Sequence, residues 1–349
     1  MMSATAISKQ GPDIVGMWGG SYVKSLKDIF LPLNDYFTQE EISAVGGWEN
    51  SAVDGKYYAA PIRTMITCSF YNKSLFAKAG VDLAKEYDGT YKSFLQICEK
   101  LKNAGITPLI NGAADGWGMS WLEGTLFASN IDNPEKVIND IVAGTKNFSD
   151  TPQLIEAFKA AQDLNKKGYY NNDITTINRP EAVTLFANGK GAIFPSISFD
   201  LFDFRAGLKD DLGFMTMPSL SAPGSPNFGA AVGGIGTDAV CVTNYSKYPK
   251  EATDFLRFLE TYDEEKEFVK DTGELPNVKG DYSSVLSDKI QAEILKISPV
   301  RQFPDNLMPA NVAETWWKFE PVMLSGQMTV EDFMKEMDKS RDEALASKQ

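Results

Sequence analysis

The sequence predicts an α/β protein with largely parallel sheets, and three observations predict it. Short apolar runs of strand type alternate with amphipathic helical patterns along the whole chain. Glycine, proline and capping hydroxyls separate these runs at regular places. The chain has 349 residues, of which 43% are hydrophobic and 23% charged. That is the composition of an ordinary globular protein, long enough for two domains at roughly 150 residues each.

The elements follow in order. Gly11-Pro12 is a turn into the apolar run Asp13-Ile14-Val15-Gly16-Met17. A second run, Thr67-Cys68-Ser69-Phe70-Tyr71, precedes a helix capped by Thr90, in which Tyr91, Phe94, Leu95, Cys98 and Leu101 share one face before Gly105. Thr151-Pro152 predicts another start, with a capping hydroxyl ahead of proline at the first helical position and a stripe from Leu154 to Leu164. Pro180 opens a short helix that ends at Gly189, and Ala192-Ile193-Phe194 follows as a strand. After the strand-like Ala239-Val240-Cys241-Val242, Pro249 opens a helix expected to turn Ala252, Phe255, Leu256 and Leu259 inward. A last amphipathic helix begins near Val330; Pro218 to Pro226 and Phe303 to Pro309 read as loops.

Composition excludes several function classes. A net charge of −13 argues against nucleic acid or an anionic membrane surface as partner. With no histidine, Ser-His-Asp and Cys-His catalysis and histidine metal ligation are absent. Cys68, Cys98 and Cys241 are too widely spaced for a zinc motif or a disulfide framework, and each is expected to fill apolar space. No stretch reaches the ~20 apolar residues of a membrane span, so no direct membrane insertion is expected. Met1 to Ala6 lacks a basic region, an apolar core and a lipobox cysteine, so no signal peptide is expected in the chain as written.

Two of the candidate runs sit where open α/β sheets place ligands, beyond strand C-termini. Trp18-Gly19-Gly20 ends the first strand, with Trp18 either core or a ligand platform. Ser196-Ile197-Ser198-Phe199-Asp200 follows another strand. Asp115-Gly116-Trp117-Gly118-Met119-Ser120-Trp121 is the densest polar and aromatic cluster. A sugar calls for this mixture, since an aromatic face stacks on its C–H face and carboxylates accept from its hydroxyls. Trp117 is read as ligand-facing and Trp121 as packing. Of Trp316 and Trp317, about 100° apart on a helix, one is expected to face ligand and the other to pack. Arg63 is either a solvated charge or a donor to ligand. Asp115, Glu123 and Asp200 could form a glycosidase pair, but with 47 acidic residues candidate pairs are inevitable. Gly189-Lys190-Gly191 lacks the spacing of a phosphate loop.

Several runs together carry a resemblance. They are Gly11-Pro12-Asp13-Ile14-Val15, Trp48 ahead of Gly55-Lys56, Pro61, and Tyr71-Asn72-Lys73. Gly105-Ile106-Thr107-Pro108-Leu109, Phe186 to Ile193, Ala252 to Leu259 and Gly273-Glu274-Leu275-Pro276 continue the series. In this order they resemble the sugar-binding extracellular solute-binding proteins of ABC importers (the maltose-binding-like, family 1 group). The resemblance implies the two-lobe type II periplasmic-binding-protein fold, each lobe a mostly parallel sheet flanked by helices. It implies lobes at 1–63 plus 233–290 and at 67–228 plus 298–349, with hinge crossings near 63–66, 228–234 and 290–298. The solute would sit between the lobes, and hinge closure would trap it.

Ligand contacts implied are Trp18, Gly19, Arg63, Asp115, Trp117, Phe199, Asp200, Gly234 and Trp316 or Trp317, with Trp48 structural. The implied function is non-enzymatic carbohydrate binding and delivery to the importer's transmembrane subunits, by an extracytoplasmic monomer, periplasmic or attached to the cell surface as a lipoprotein. No cofactor or metal is implied. Phe199 stands where the family has tryptophan, which keeps a stacking face and loses the indole donor. Met65 replaces a hinge-side acid of maltose-type relatives, so maltose itself is not implied. The family carries a further N-terminal strand and helix, so the chain is expected to lack that segment. The same fold holding a polyamine or amino-acid derivative is the alternative. Behind it stand iron held by Tyr169-Tyr170, a carboxylate glycosidase, and a shortened chain that folds poorly and binds nothing.

Overall fold

The computed structural model describes residues 9–286 and 288–347. Met1 to Ala6, on which the expectation about a signal peptide rests, lies outside the described residues. The elements that carry the argument are, in chain order, β1 (Ile14–Trp18), β2 (Ala60–Asn72), α1 (Tyr91–Asn103), α2 (Ser120–Ser129), α3 (Pro152–Lys166) and α4 (Arg179–Ala187). Then come β3 (Ile193–Ile197), β4 (Leu212–Met215), β5 (Ala231–Val242), α5 (Pro249–Leu259), α6 (Tyr262–Thr272), β6 (Val300–Arg301), α7 (Ala310–Leu324) and α8 (Val330–Ala346).

These elements form two compact units. The smaller comprises Met1–Met65 with Gly233–Gln291; the larger comprises Ile66–Val232 with Ala292–Gln349. The chain therefore passes between units within β2, within β5 and after Gln291.

In the smaller unit β1 runs antiparallel to β5, from Ile14 opposite Val242 to Trp18 opposite Asp238. Successive β5 side chains point to opposite faces. Val240 and Val242 join Trp48, Phe37 and Leu256 in one core cluster, while Ala239 and Cys241 join Val23 and Phe30 in another. Burial on both faces explains why this strand reads as a continuous apolar run.

In the larger unit β2 pairs antiparallel with both β3 (Phe70 opposite Phe194) and β4 (Phe70 opposite Phe214). Phe70, Phe186, Phe194 and Phe204 pack with ring centroids 4.6–5.6 Å apart. Parallel pairing occurs between β5 and β6, and at Leu109, which bridges Tyr170 and Ile193. The sheets are thus mixed rather than mostly parallel. An apolar run announces a strand but not the direction of its partner, so composition could not fix this.

Local signals behave as their chemistry requires, with two corrections. The Thr90 hydroxyl accepts from the Ser93 amide at 3.1 Å and caps α1. Asn178 and Glu181 form a reciprocal capping box on α4. Thr151 does not cap α3; its hydroxyl donates to the Asn147 carbonyl at 2.8 Å. Phe255 does not point inward on α5 but is 48% exposed, while Ala252 and Leu256 are buried. All three cysteines are buried and free.

Candidate functional site

The larger unit gathers four of the ten candidate residues, Asp115, Trp117, Phe199 and Asp200, around one side chain that the sequence did not single out, Arg179. It is the first residue of α4, and its guanidinium carbon lies 4.5 Å from the Trp121 ring centroid, 5.2 Å from Phe199 and 5.5 Å from Trp117. The side chain is 5% exposed and pairs with Asp200, itself 1% exposed. Its terminal nitrogen also donates to Ser196 Oγ at 3.1 Å, and Ser196 donates to Asp200. Burial pushes the Asp200 carboxyl above its ordinary range, and the Arg179 charge and the Ser196 hydroxyl oppose that shift. Charge-assisted hydrogen bonds from a guanidinium are shorter and stronger than neutral ones, so they tie the Asp200 side chain in place.

The loop 115–119 closes over this centre. Asp115 accepts from the Arg179 backbone amide at 3.3 Å. Gly116 has φ +74°, and a Cβ there would lie 2.1 Å from the Trp317 carbonyl oxygen. Only glycine lets the loop approach α7 so closely. Trp117 and Trp121 meet edge to face at 5.5 Å, and Trp121 meets Phe199 at 6.2 Å. Trp117, Phe199 and Trp317 are half-buried; Trp121 is buried, as expected for a packing residue.

Two of the candidate ligand contacts, Asp200 and Trp316, make internal contacts, and of the tryptophan pair one is expected to pack. Asp200 is enclosed with Arg179 and presents no open carboxylate. Trp316 is 1% exposed, packs on Phe158 at 5.0 Å and donates to Glu320 at 3.3 Å. The half-buried member of the pair is Trp317.

Beneath this site lies a carboxyl pair, Glu123 on α2 and Glu320 on α7, both fully buried. Burial pushes Glu123 up to about 8, and Glu320 is also raised by burial and by the neighbouring Glu123. Both carboxyls are enclosed in the core, unlike the two solvent-reaching acids of a glycosidase. Asp305 is pushed up to about 6 by burial, and Ser120 donates to it at 3.4 Å. Tyr169 and Tyr170 are each 4% exposed, and Tyr169 donates to Glu99 at 2.8 Å, so they form no open iron site.

The smaller unit holds the remaining candidates. Trp18 is 41% exposed and meets Tyr22 edge to face at 5.4 Å. Gly19 is buried, and its amide donates to the Thr237 carbonyl at 2.9 Å. Gly234 has φ +126°, a conformation that favours glycine. Arg63 pairs with Asp238 at 3.0 Å and Glu274 at 2.8 Å. Burial raises both carboxyls, and the Arg63 charge opposes it. Trp48 is 3% exposed and packs on Phe37 at 5.1 Å.

The bacterial extracellular solute-binding protein model matches residues 2–266. The chain belongs to that family. It is 26% identical over 265 residues to the sn-glycerol-3-phosphate-binding periplasmic protein UgpB of Pectobacterium atrosepticum, covering 74% of this chain and 57% of that protein. UgpB of Escherichia coli K12 is 26% identical over 277 residues, covering 76% and 59%. The chain thus spans less than two thirds of the length of these relatives.

Among solved structures, a chitin oligosaccharide binding protein matches with TM-score 0.84 at 23% identity, covering 99% of this chain and 86% of that one. A Thermotoga lettingae ABC transporter solute-binding protein bound with α-D-tagatose matches with TM-score 0.81 at 17% identity, covering 99% and 88%. These likenesses establish the α/β two-lobe periplasmic-binding-protein fold for this family member. Among the described residues no helix is long and apolar enough to cross a membrane.

Sequence reasoning missed Arg179 because a lone arginine at a helix start reads as a solvated charge. The available signal was its place directly after the Asn178 cap, in Asn178-Arg179-Pro180-Glu181. A capped N-terminus fixes the following side chain in space.

Proposed function

We propose that this chain binds a carbohydrate without catalysis and delivers it to the transmembrane subunits of an ABC importer outside the cytoplasm. The observation that carries this reading is the half-buried aromatic surface of Trp117 and Phe199, gathered round an internally neutralised Arg179–Asp200 pair. Aromatic faces stack on the apolar side of a sugar ring. Trp317 and, in the smaller unit, Trp18 and Arg63 are further proposed contacts. The passages of the chain between units at residues 65–66, 232–233 and 291–292 are the proposed hinge.

The same centre disfavours the polyamine alternative. A cationic solute needs an aromatic box with free acids, and here Arg179 fills the box and engages Asp200. The carbohydrate and glycerol phosphate solutes in the names of similar proteins support a hydroxyl-rich ligand.

A thermal-shift screen followed by calorimetry tests this. The panel contains mono-, di- and oligosaccharides, sn-glycerol-3-phosphate and polyamines. We expect a saturable rise in Tm with one sugar class, no turnover of that sugar, and at least tenfold weaker binding by Trp117→Ala. Full affinity in Trp117→Ala, or hydrolysis of the bound sugar, would overturn the reading.

A further inference from the structure

A cavity of about 380 Å³ lies wholly within the smaller unit, between the Pro61–Arg63 stretch of β2 and helix α6. Its walls combine apolar and acidic groups. Ile62, Leu259, Val278 and the ring of Phe268, which is 38% exposed, supply the apolar part. Glu264, Glu267 and Asp271 from α6 supply acids, and Lys270 engages Glu267 at 2.6 Å. Arg63, the one arginine in the lining, is already paired with Asp238 and Glu274.

Glu260 is the unusual member of the lining. It is 9% exposed, and neither carboxyl oxygen has a hydrogen-bond partner. Its buried neighbour Glu265 is different, since it accepts from the Asn277 amide. Burial, and then the facing carboxylates of Glu265 and Glu41, hold the Glu260 carboxyl well above the ordinary range. A buried carboxyl without a partner costs about 1–3 kcal/mol, so the group needs an explanation. A ligand that brings N–H donors and positive charge supplies one.

We propose that this cavity binds a small organic cation, an ammonium or guanidinium on a short apolar stem, with Glu260 as its buried counter-ion. The volume falls at the small end of ligand sites, which run from about 300 to 1,000 Å³. The stem lies along Leu259, Ile62 and Phe268, and the cation faces the carboxylates. A bare metal ion fits poorly, because among the described residues no group of three or more acids or cysteines is arranged to hold one. On binding, the cation holds Glu260 as the carboxylate, and a proton displaced from it goes to solvent. The other charged groups in the lining, Glu264, Glu265, Glu267, Asp271 and Arg63, keep their existing charge and partners.

Calorimetry on the whole chain with agmatine and butylammonium as probes tests the proposal, run in two buffers of different ionisation enthalpy. We expect saturable binding accompanied by proton release, because pairing with a cation lowers the proton affinity of Glu260. Glu260→Gln should bind at least tenfold more weakly and release no proton. Phe268→Ala, on the exposed wall, should also weaken binding, with its melt unchanged, and it decides the matter if Glu260→Gln fails to fold. No saturable binding of either probe overturns the proposal, as does equal affinity in the variants. Sugar binding by Glu260→Gln should match the unsubstituted chain, so failure here and failure of the carbohydrate reading are separate results.

Discussion

Arg179 in the larger unit and Arg63 in the smaller one each meet carboxylates, and they are built in opposite ways. Arg179 is 5% exposed, faces one carboxylate that is 1% exposed, and is ringed by Trp117, Trp121 and Phe199. Arg63 is 30% exposed and divides its charge between Asp238 and Glu274, which are 19% and 12% exposed. An enclosed pair has no water to fall back on, so each partner depends on the other. A triad that is partly within reach of solvent can draw on water for some of what is lost. The first arrangement shapes a surface by being immovable; the second is adjustable.

Breaking the enclosed pair should give the largest effect. Arg179→Met leaves Asp200 buried without its counter-charge, at an expected cost of about 3–5 kcal/mol. Urea denaturation would show this as a lower midpoint at unchanged slope. Adding Asp200→Leu should recover much of the loss, because the uncompensated charge is then gone. If Arg179→Met unfolds like the unsubstituted chain, the pair is not what organises the aromatic cluster.

The Glu123–Glu320 pair extends the comparison to a buried site with no cation at all. Glu123 rises from its ordinary 4.5 to about 8 through burial. Both folded and unfolded chains bind the proton below pH 4.5, so there is no penalty there. As pH rises, the unfolded chain ionises first, and folding loses stability until the folded group also ionises near 8. Stability should therefore fall between about pH 5 and 8, by an amount on the order of a few kcal/mol. Glu123→Gln should flatten that fall in a series of melts across the window. An unchanged pH dependence would mean that the proton on this pair is not linked to folding.

What the sequence could say about these regions follows from the range of each interaction. Helix starts at Thr90 and Pro249 and the strand at Ala239 to Val242 rest on contacts within a few residues, so they were readable. The aromatic run from Asp115 to Trp121, a loop leading into α2, was readable as a cluster because its members are adjacent. Its completion was not, since Arg179 and Phe199 arrive from distant positions. Asp200 looked like an open acid because nothing local reveals a guanidinium 21 residues away. Trp316 and Trp317 could not be ranked, because packing on Phe158 and the approach of Gly116 are both long-range. Glu260 gave no signal, since an unpartnered acid is visible only in three dimensions.

The Arg63 triad should respond more mildly. Arg63→Gln keeps a donor and removes the charge, leaving Asp238 and Glu274 to draw on water. The expected loss is about 1 kcal/mol, and it should shrink in high salt because the group is within reach of solvent. A loss as large as that of Arg179→Met would erase the distinction between the two arginines.

The same rule about access to water applies to apolar groups, and there it predicts the smallest effect. Helical periodicity puts Phe255 beside Leu256 on the inward face of α5, yet Phe255 is 48% exposed and Leu256 is fully buried. Neighbouring positions on a helix differ by 100°, so a stripe of this width has an edge, and Phe255 lies over it. Phe258 is 49% exposed on the same helix. Phe255→Ser therefore removes little buried area and opens no cavity, so stability should stay within about 0.5 kcal/mol of the unsubstituted chain. A drop of 2 kcal/mol or more in urea denaturation, on the order of that for truncating a core residue, would put Phe255 in the core and the sequence-based expectation back in force.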